Sequence, residues 1–309
     1  MKKFILNLSA FAVFAAVFYV LLVLCSGQLA PKKLRGNIIP ENKIQARDFS
    51  NRRFNEIPTN TNVDYMILGT SHAYRSYDPR IFAKAGFSSY NLGSSSQPLG
   101  VTRSIYEKYV KQLQPKNIIL DIYPIFLNRD ATEGTINMLP LFYNDPDFVW
   151  DALQIHHPII LNNLIYFNFF GNPNAVKAQE SEKDTYVSGG FVQRTERLKV
   201  IPDRFETSKT TVDPVQVQHI KDIIADAKKR GINVYLFQAP IPKARFESIQ
   251  NTPEIDRLLH SLGNYHNFNA EKHLPNQYFF DDSHINQGGV EIYDPWVINI
   301  LKKETAAKK

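Results

Sequence analysis

A serine, an aspartate and a histidine can together make a nucleophile, and this 309-residue chain carries Ser71 early and Asp281 and His284 near its C-terminus. A hydroxyl is a weak nucleophile near neutral pH. It needs a base within hydrogen-bond reach and a third group to orient that base. Asp281 and His284 lie three residues apart, which lets the carboxylate bond one imidazole nitrogen while the other points at a serine. The chemistry would be nucleophilic: His284 would accept the Ser71 proton, and Asp281 would orient the imidazole. Each residue also has a plainer use, since a serine after a strand often caps a helix and a histidine beside acids is usually inert.

Several elements must bring these residues together. Val63 to Leu68 (VDYMIL) is a short apolar run ending at Gly69, so Thr70-Ser71-His72 sits on a sharp strand-to-helix turn at the carboxyl edge of a sheet. Ser89 to Leu92 likewise ends at Gly93, and Asn117 to Tyr123 and Ile232 to Phe237 are further β-rich runs. Helical spacing appears in Leu99 to Leu113, in Val215 to Lys229 and in Gln287 to Leu301. The alternation predicts an α/β chain with a parallel sheet and right-handed crossovers. Residues 125 to 212 break the alternation, being aromatic and Asn-rich and then polar, and are expected to form an insertion covering one end of the sheet.

These blocks in this order resemble the SGNH, or GDSL, hydrolase superfamily. Gly69-Thr70-Ser71-His72 is similar to the first block, Asn91-Leu92-Gly93 to the second with its oxyanion glycine, and Asp281-Asp282-Ser283-His284 to the last, D-x-x-H. The resemblance covers residues 62 to 124 and 214 to 300. It implies a three-layer flavodoxin-like sheet, Ser71, Asp281 and His284 as catalytic residues, and the amides of Ser71 and Gly93 as oxyanion donors. No cofactor or metal is expected. More narrowly, the apolar N-terminus and the G-T-S-H opening resemble extracytoplasmic members that act on acyl groups of surface polymers, of the alginate O-acetylation and lipoteichoic acid D-alanylation kinds.

The third block departs from the family. Where an asparagine is expected after the third strand, this chain reads Leu120-Asp121-Ile122-Tyr123-Pro124. One lost oxyanion donor costs about 2.7–4 kcal/mol of transition-state stabilisation. Tyr123, Gln97 and Asn128 are the candidates to replace it, and His72 is a candidate substrate contact. Arg75 and Asp78 are expected to pair or to cap a turn. The His156-His157 doublet has no further ligand at metal spacing and reads as structural.

Phe4 to Cys25 is almost wholly apolar, and at about 1.5 Å per residue it would cross a hydrocarbon core of about 30 Å. Lys2 and Lys3 favour an internal N-terminus, although Lys32, Lys33 and Arg35 follow closely. A cleaved signal peptide is the competing reading, but Leu22-Val23-Leu24-Cys25 offers no small-x-small site. Cys25, the only cysteine, removes disulfides and thiolate metal sites from the remainder.

The expected organisation is a transmembrane signal-anchor at 1–27, a polar linker at 28–60, an SGNH-like α/β domain at 61–302 with the insertion 125–212, and a basic tail at 303–309. Apolar residues at 43% and charged residues at 21% fit a folded body, and the +6 charge forms no basic stripe interleaved with aromatics, which argues against nucleic-acid binding. The expected location is the cytoplasmic membrane, single-pass, with the C-terminal domain outside. The expected function is a serine esterase or O-acyltransferase on a cell-surface glycan or acylated polymer, with a multispanning membrane acyltransferase as a candidate partner. The rival is a non-catalytic accessory or scaffold protein of an envelope polysaccharide assembly.

Overall fold

Successive residues of an extended strand face opposite sides, so a strand that is apolar throughout must be covered on both. The computed structural model describes residues 1–35, 37–38, 49–59, 61–128, 132–171, 183–198 and 200–307. In it β1 (Tyr65–Gly69), β2 (Ser89–Asn91), β3 (Asn117–Asp121), β6 (Asn233–Gln238) and β7 (Asn264–Asn267) form one parallel sheet in the order β2-β1-β3-β6-β7. Counted within the sheet this is 2-1-3-4-5, the flavodoxin-like order, whose reversal between β1 and β3 opens a crevice at the carboxyl ends of those strands.

Two cores result, one on each face. Met66, Leu68, Ile118, Leu120 and Leu236 meet the helices Leu99–Leu113, Pro214–Lys229 and Thr252–Leu262 through Ile105, Ile220, Ile223 and Leu259. Tyr65, Ile67, Ile119, Tyr235 and Phe237 meet Ala73, Phe82 and the Val290, Tyr293 and Val297 stripe of the helix Gln287–Ala307. The architecture is therefore three-layered. Each fully buried Ile or Leu contributes on the order of 1.5–3 kcal/mol, so the sheet that carries the Ser71 turn is rigid.

The inserted region supplies the helices Thr132–Phe142, Pro146–Leu153 and Pro158–Phe170, which extend the first core through Met138, Phe142, Phe148, Leu164 and Phe167. It then forms a hairpin of β4 (Asp184–Val187) and β5 (Phe191–Arg194). The hairpin turn lies against β2, where the Asn91 N–H donates to Gly189 O.

Two elements differ from the sequence reading. Residues 49–57, placed in the linker, are built into the body: a short helix, Ser50–Asn55, buries Arg53, whose Nε donates to Gly190 O and whose guanidinium lies over Tyr74. Lys303, assigned to the tail, lies on the last helix, which runs to Ala307. At the other end Lys2–Leu29 is one continuous helix, long and apolar enough to cross a membrane by length and composition, a test that a signal sequence also passes.

Candidate active site

Gly69 ends β1 with φ +142°, and a Cβ there would stand 2.6 Å from Asp121 O, so only glycine lets the chain turn beside β3. Thr70 then caps the next helix, its Oγ1 accepting the His72 N–H at 3.2 Å. Ser71 opens that helix, Ser71–Ser76, where the first N–H groups have no intrahelical acceptor. It is partly exposed while the residues on both sides of it are buried.

His284 arrives from the loop before the last helix. Its Nε2 lies 2.7 Å from Ser71 Oγ, and its Nδ1 lies 2.9 and 3.0 Å from the two Asp281 oxygens. With Nδ1–H donated to Asp281, Nε2 carries the lone pair that accepts the Ser71 proton. Asp281 Oδ1 also accepts the N–H groups of Ser283 and His284, at 2.9 and 2.7 Å. Partial burial pushes the Asp281 carboxyl up, but the His284 bond and charge and these two amides outweigh it and hold the group well below the usual carboxylate range. Asp281 is thus ionised wherever His284 would work as a base. Phe280 stacks on the His284 ring at 5.4 Å, and Arg75 and Arg194 lie over Phe280.

The oxyanion side is less open than the motif implies. Gly93 is buried beside the Ser71 turn, and a Cβ on it would meet Ala73 Cβ at 2.8 Å and Thr70 O at 2.9 Å. Its N–H, however, donates to Asn91 Oδ1 at 3.0 Å, so this expected donor is already engaged. Gln97 is a structural residue: its amide nitrogen donates to Leu92 O and Ser94 Oγ, and its oxygen accepts from Thr102. A buried amide satisfied on all these sides has no proton left for a ligand.

Tyr123 is buried with its ring 4.2 Å from His72; burial pushes its hydroxyl up against the opposing pull of the Arg245 charge. Asn128 caps the turn Pro124–Leu127. His72 is 2% exposed, its ring lies 4.8 Å from that of His284, and its Nε2 has no partner among the described residues. Burial, and then the neighbouring His284, hold His72 well below the ordinary histidine range, so it is a neutral ring against the base.

No family model matches this chain, and no curated protein matches it. Solved structures similar to it include a GDSL-like lipase from Bacteroides thetaiotaomicron, with 12% identity and a TM-score of 0.40, covering 81% of this chain and 90% of its own. Another, from Bacteroides fragilis and named as an acylhydrolase, has 12% identity and a TM-score of 0.41, covering 83% and 95%. At that distance the likenesses say nothing of chemistry.

Asp121, the last residue of β3, is buried and bonded to a tyrosine. Its Oδ2 accepts the Tyr77 hydroxyl at 2.7 Å, and Tyr77 bonds Tyr293 at 2.8 Å. Burial pushes this carboxyl up to about 7 despite the bonds from Tyr77 and the Ala239 backbone. Sequence reasoning did not single out Phe280, which stacks on the imidazole, or Arg194, which lies over Phe280, because neither lies in a motif. Arg75 pairs with Asp184 of the hairpin, while Asp78 caps the helix Pro79–Lys84. His157 caps the helix Pro158–Phe170, its Nδ1 accepting the Ile159 N–H at 3.2 Å.

Proposed function

We propose that this chain is a membrane-anchored, extracytoplasmic serine esterase or O-acyltransferase of the SGNH type, acting on acyl groups of a cell-surface polysaccharide or related polymer. The observation that carries the reading is the unbroken chain of hydrogen bonds from Ser71 Oγ through His284 to Asp281. In the first step the Ser71 oxygen bonds the acyl carbon as its proton passes to His284 Nε2. The collapsing intermediate expels the alcohol, which takes that proton, and leaves an acyl-serine. Water or a sugar hydroxyl then gives a proton to His284 and attacks the acyl carbon, and Ser71 departs with its proton restored. Water as acceptor makes an esterase; a sugar hydroxyl makes a transferase, which a tether beside growing polymer favours by raising the local acceptor concentration. The acyl donor side would be served by a multispanning membrane acyltransferase.

A second reading, a non-catalytic accessory or scaffold protein of an envelope polysaccharide assembly, draws on two observations: the Gly93 N–H is bonded to Asn91, and the segment Leu120 to Pro124 holds no asparagine, its Asp121 accepting the Tyr77 hydroxyl. The full chain in lipid nanodiscs, given an aryl acetate and then an O-acetylated polysaccharide, separates the two. Release that disappears in Ser71→Ala and His284→Ala supports the enzyme. Folded protein with no serine-dependent release from either substrate leaves the scaffold.

A further inference from the structure

The N-terminal helix is bare only part of the way. From Phe4 to Phe18 every residue is exposed, whereas the Tyr19 hydroxyl donates to Asn162 Oδ1, Val23 and Gly27 are buried, and Gln28 donates to the Tyr166 hydroxyl at 2.9 Å. A Cβ on Gly27 would stand 2.4 Å from the Tyr166 ring, so the helix and the body are in direct contact there. The bare stretch is about 22 Å long at ~1.5 Å per residue. A hydrocarbon core is about 30 Å thick. If Lys2 and Lys3 stay at the far interface, the last ~8 Å of the core must be crossed by helix that already has the body packed against it.

The body surface at that level suits lipid. Tyr19 shares a hollow with Leu153, His157, Pro158 and Leu161. Leu153 and Leu161 are exposed, and Trp150, on the same face of its helix as Leu153, is 65% exposed. No Asp, Glu, Lys or Arg occurs between Ala152 and Phe170. Asn162 is satisfied by Tyr19, as a polar group in hydrocarbon must be, and the imidazoles of His156 and His157 border the same hollow. An exposed tryptophan beside such a surface fits the interfacial zone, where indole is enriched.

We propose that the body is not merely tethered but seated in the adjacent leaflet, with the apolar face of Leu153, Pro158 and Leu161 immersed beside the N-terminal helix and Trp150 at the interface. This goes beyond the proposed chemistry, and it rests on the reading of Lys2–Leu29 as a retained anchor.

The test uses the full chain with Cys25→Ser, reconstituted in phosphatidylcholine–phosphatidylglycerol nanodiscs, with one spin-labelled cysteine at a time. Leu153→Cys and Leu161→Cys probe the seat. Phe14→Cys reports the anchor, and Lys228→Cys, at the far end of the helix that begins at Pro214, reports water. Collision with oxygen should exceed collision with a soluble nickel chelate several-fold at 153, 161 and 14, with the reverse at 228. Chelate-accessible labels at 153 and 161, with 14 still oxygen-accessible, would overturn the seating and leave the anchor standing. Chelate access at 14 as well would remove the anchor itself. Spin–spin broadening at 161 would show a second copy on the patch instead of lipid, and would also overturn the proposal.

Discussion

Two carboxylates stand near the same edge of the sheet and are handled in opposite ways. Asp281, on a partly exposed loop, gathers the imidazole and two backbone amides and is held below the usual range. Asp121, at the end of β3, is 2% exposed, bonds a tyrosine hydroxyl, and is pushed up to about 7. The sequence writes both as an aspartate near a β-strand or turn. Donors against desolvation decide which is a working anion and which is a buried acid.

The largest effect expected is on Ser71. Ser71→Ala should lower ester release on the order of 10⁴- to 10⁶-fold, measured as burst and steady-state rates on an aryl acetate, because Ser71 is the hydroxyl on His284 Nε2 while Ser283 Oγ lies on the Nδ1 side. Unchanged release would move the chemistry elsewhere. Asp281→Asn should cost on the order of 10⁴-fold in kcat with little change in KM, since the neutral amide favours the wrong imidazole tautomer. A loss of less than tenfold would mean that the Ser283 and His284 amides organise the loop without the charge.

Asp121 offers the contrasting stability signal. Its folded pKa lies above the unfolded value, so the folded state binds more protons between about pH 4 and about pH 7, and stability falls as pH rises through that window, by up to about 4 kcal/mol. Asp281 has the opposite sign: its contribution is complete above the ordinary carboxylate range and is lost as pH falls below it. Asp121→Asn should therefore flatten the neutral limb in urea titrations while kcat changes less than about twofold. A large kcat change would tie Asp121 to the oxyanion after all. The smallest effect is expected from Gly93→Ala, whose Cβ meets Ala73 and the Thr70 carbonyl. It should cost about 1–3 kcal/mol in urea titrations, a size typical of overpacking.

The strands that could be read beforehand are those buried on both faces. Val63 to Leu68 and Asn117 to Tyr123 announced themselves as short, mostly apolar runs, and the structure places the strands at Tyr65–Gly69 and Asn117–Asp121. β7, written Asn-Tyr-His-Asn at the sheet edge, and the polar hairpin of β4 and β5 left no such pattern, because an edge or a surface ribbon need not be apolar. Ser71, Asp281 and His284 were legible because turn chemistry and i,i+3 spacing are local. Gln97 and Gly93 show the limit of that: a donor can be named from sequence, but whether its proton already has a partner depends on neighbours that the fold supplies.

By itself, then, the sequence determined the alternation of strands and helices, the apolar N-terminal helix, the Ser71 turn after β1 and the Asp-His pair, all of them set by period or by contacts within one turn. Only the tertiary structure decided that His284 reaches Ser71 across the chain, that Asp121 bonds Tyr77, and that the N-terminal helix meets the body from Tyr19 onward. Those outcomes depend on long-range packing and on which polar groups are left in water, and neither quantity is written in a local stretch of residues.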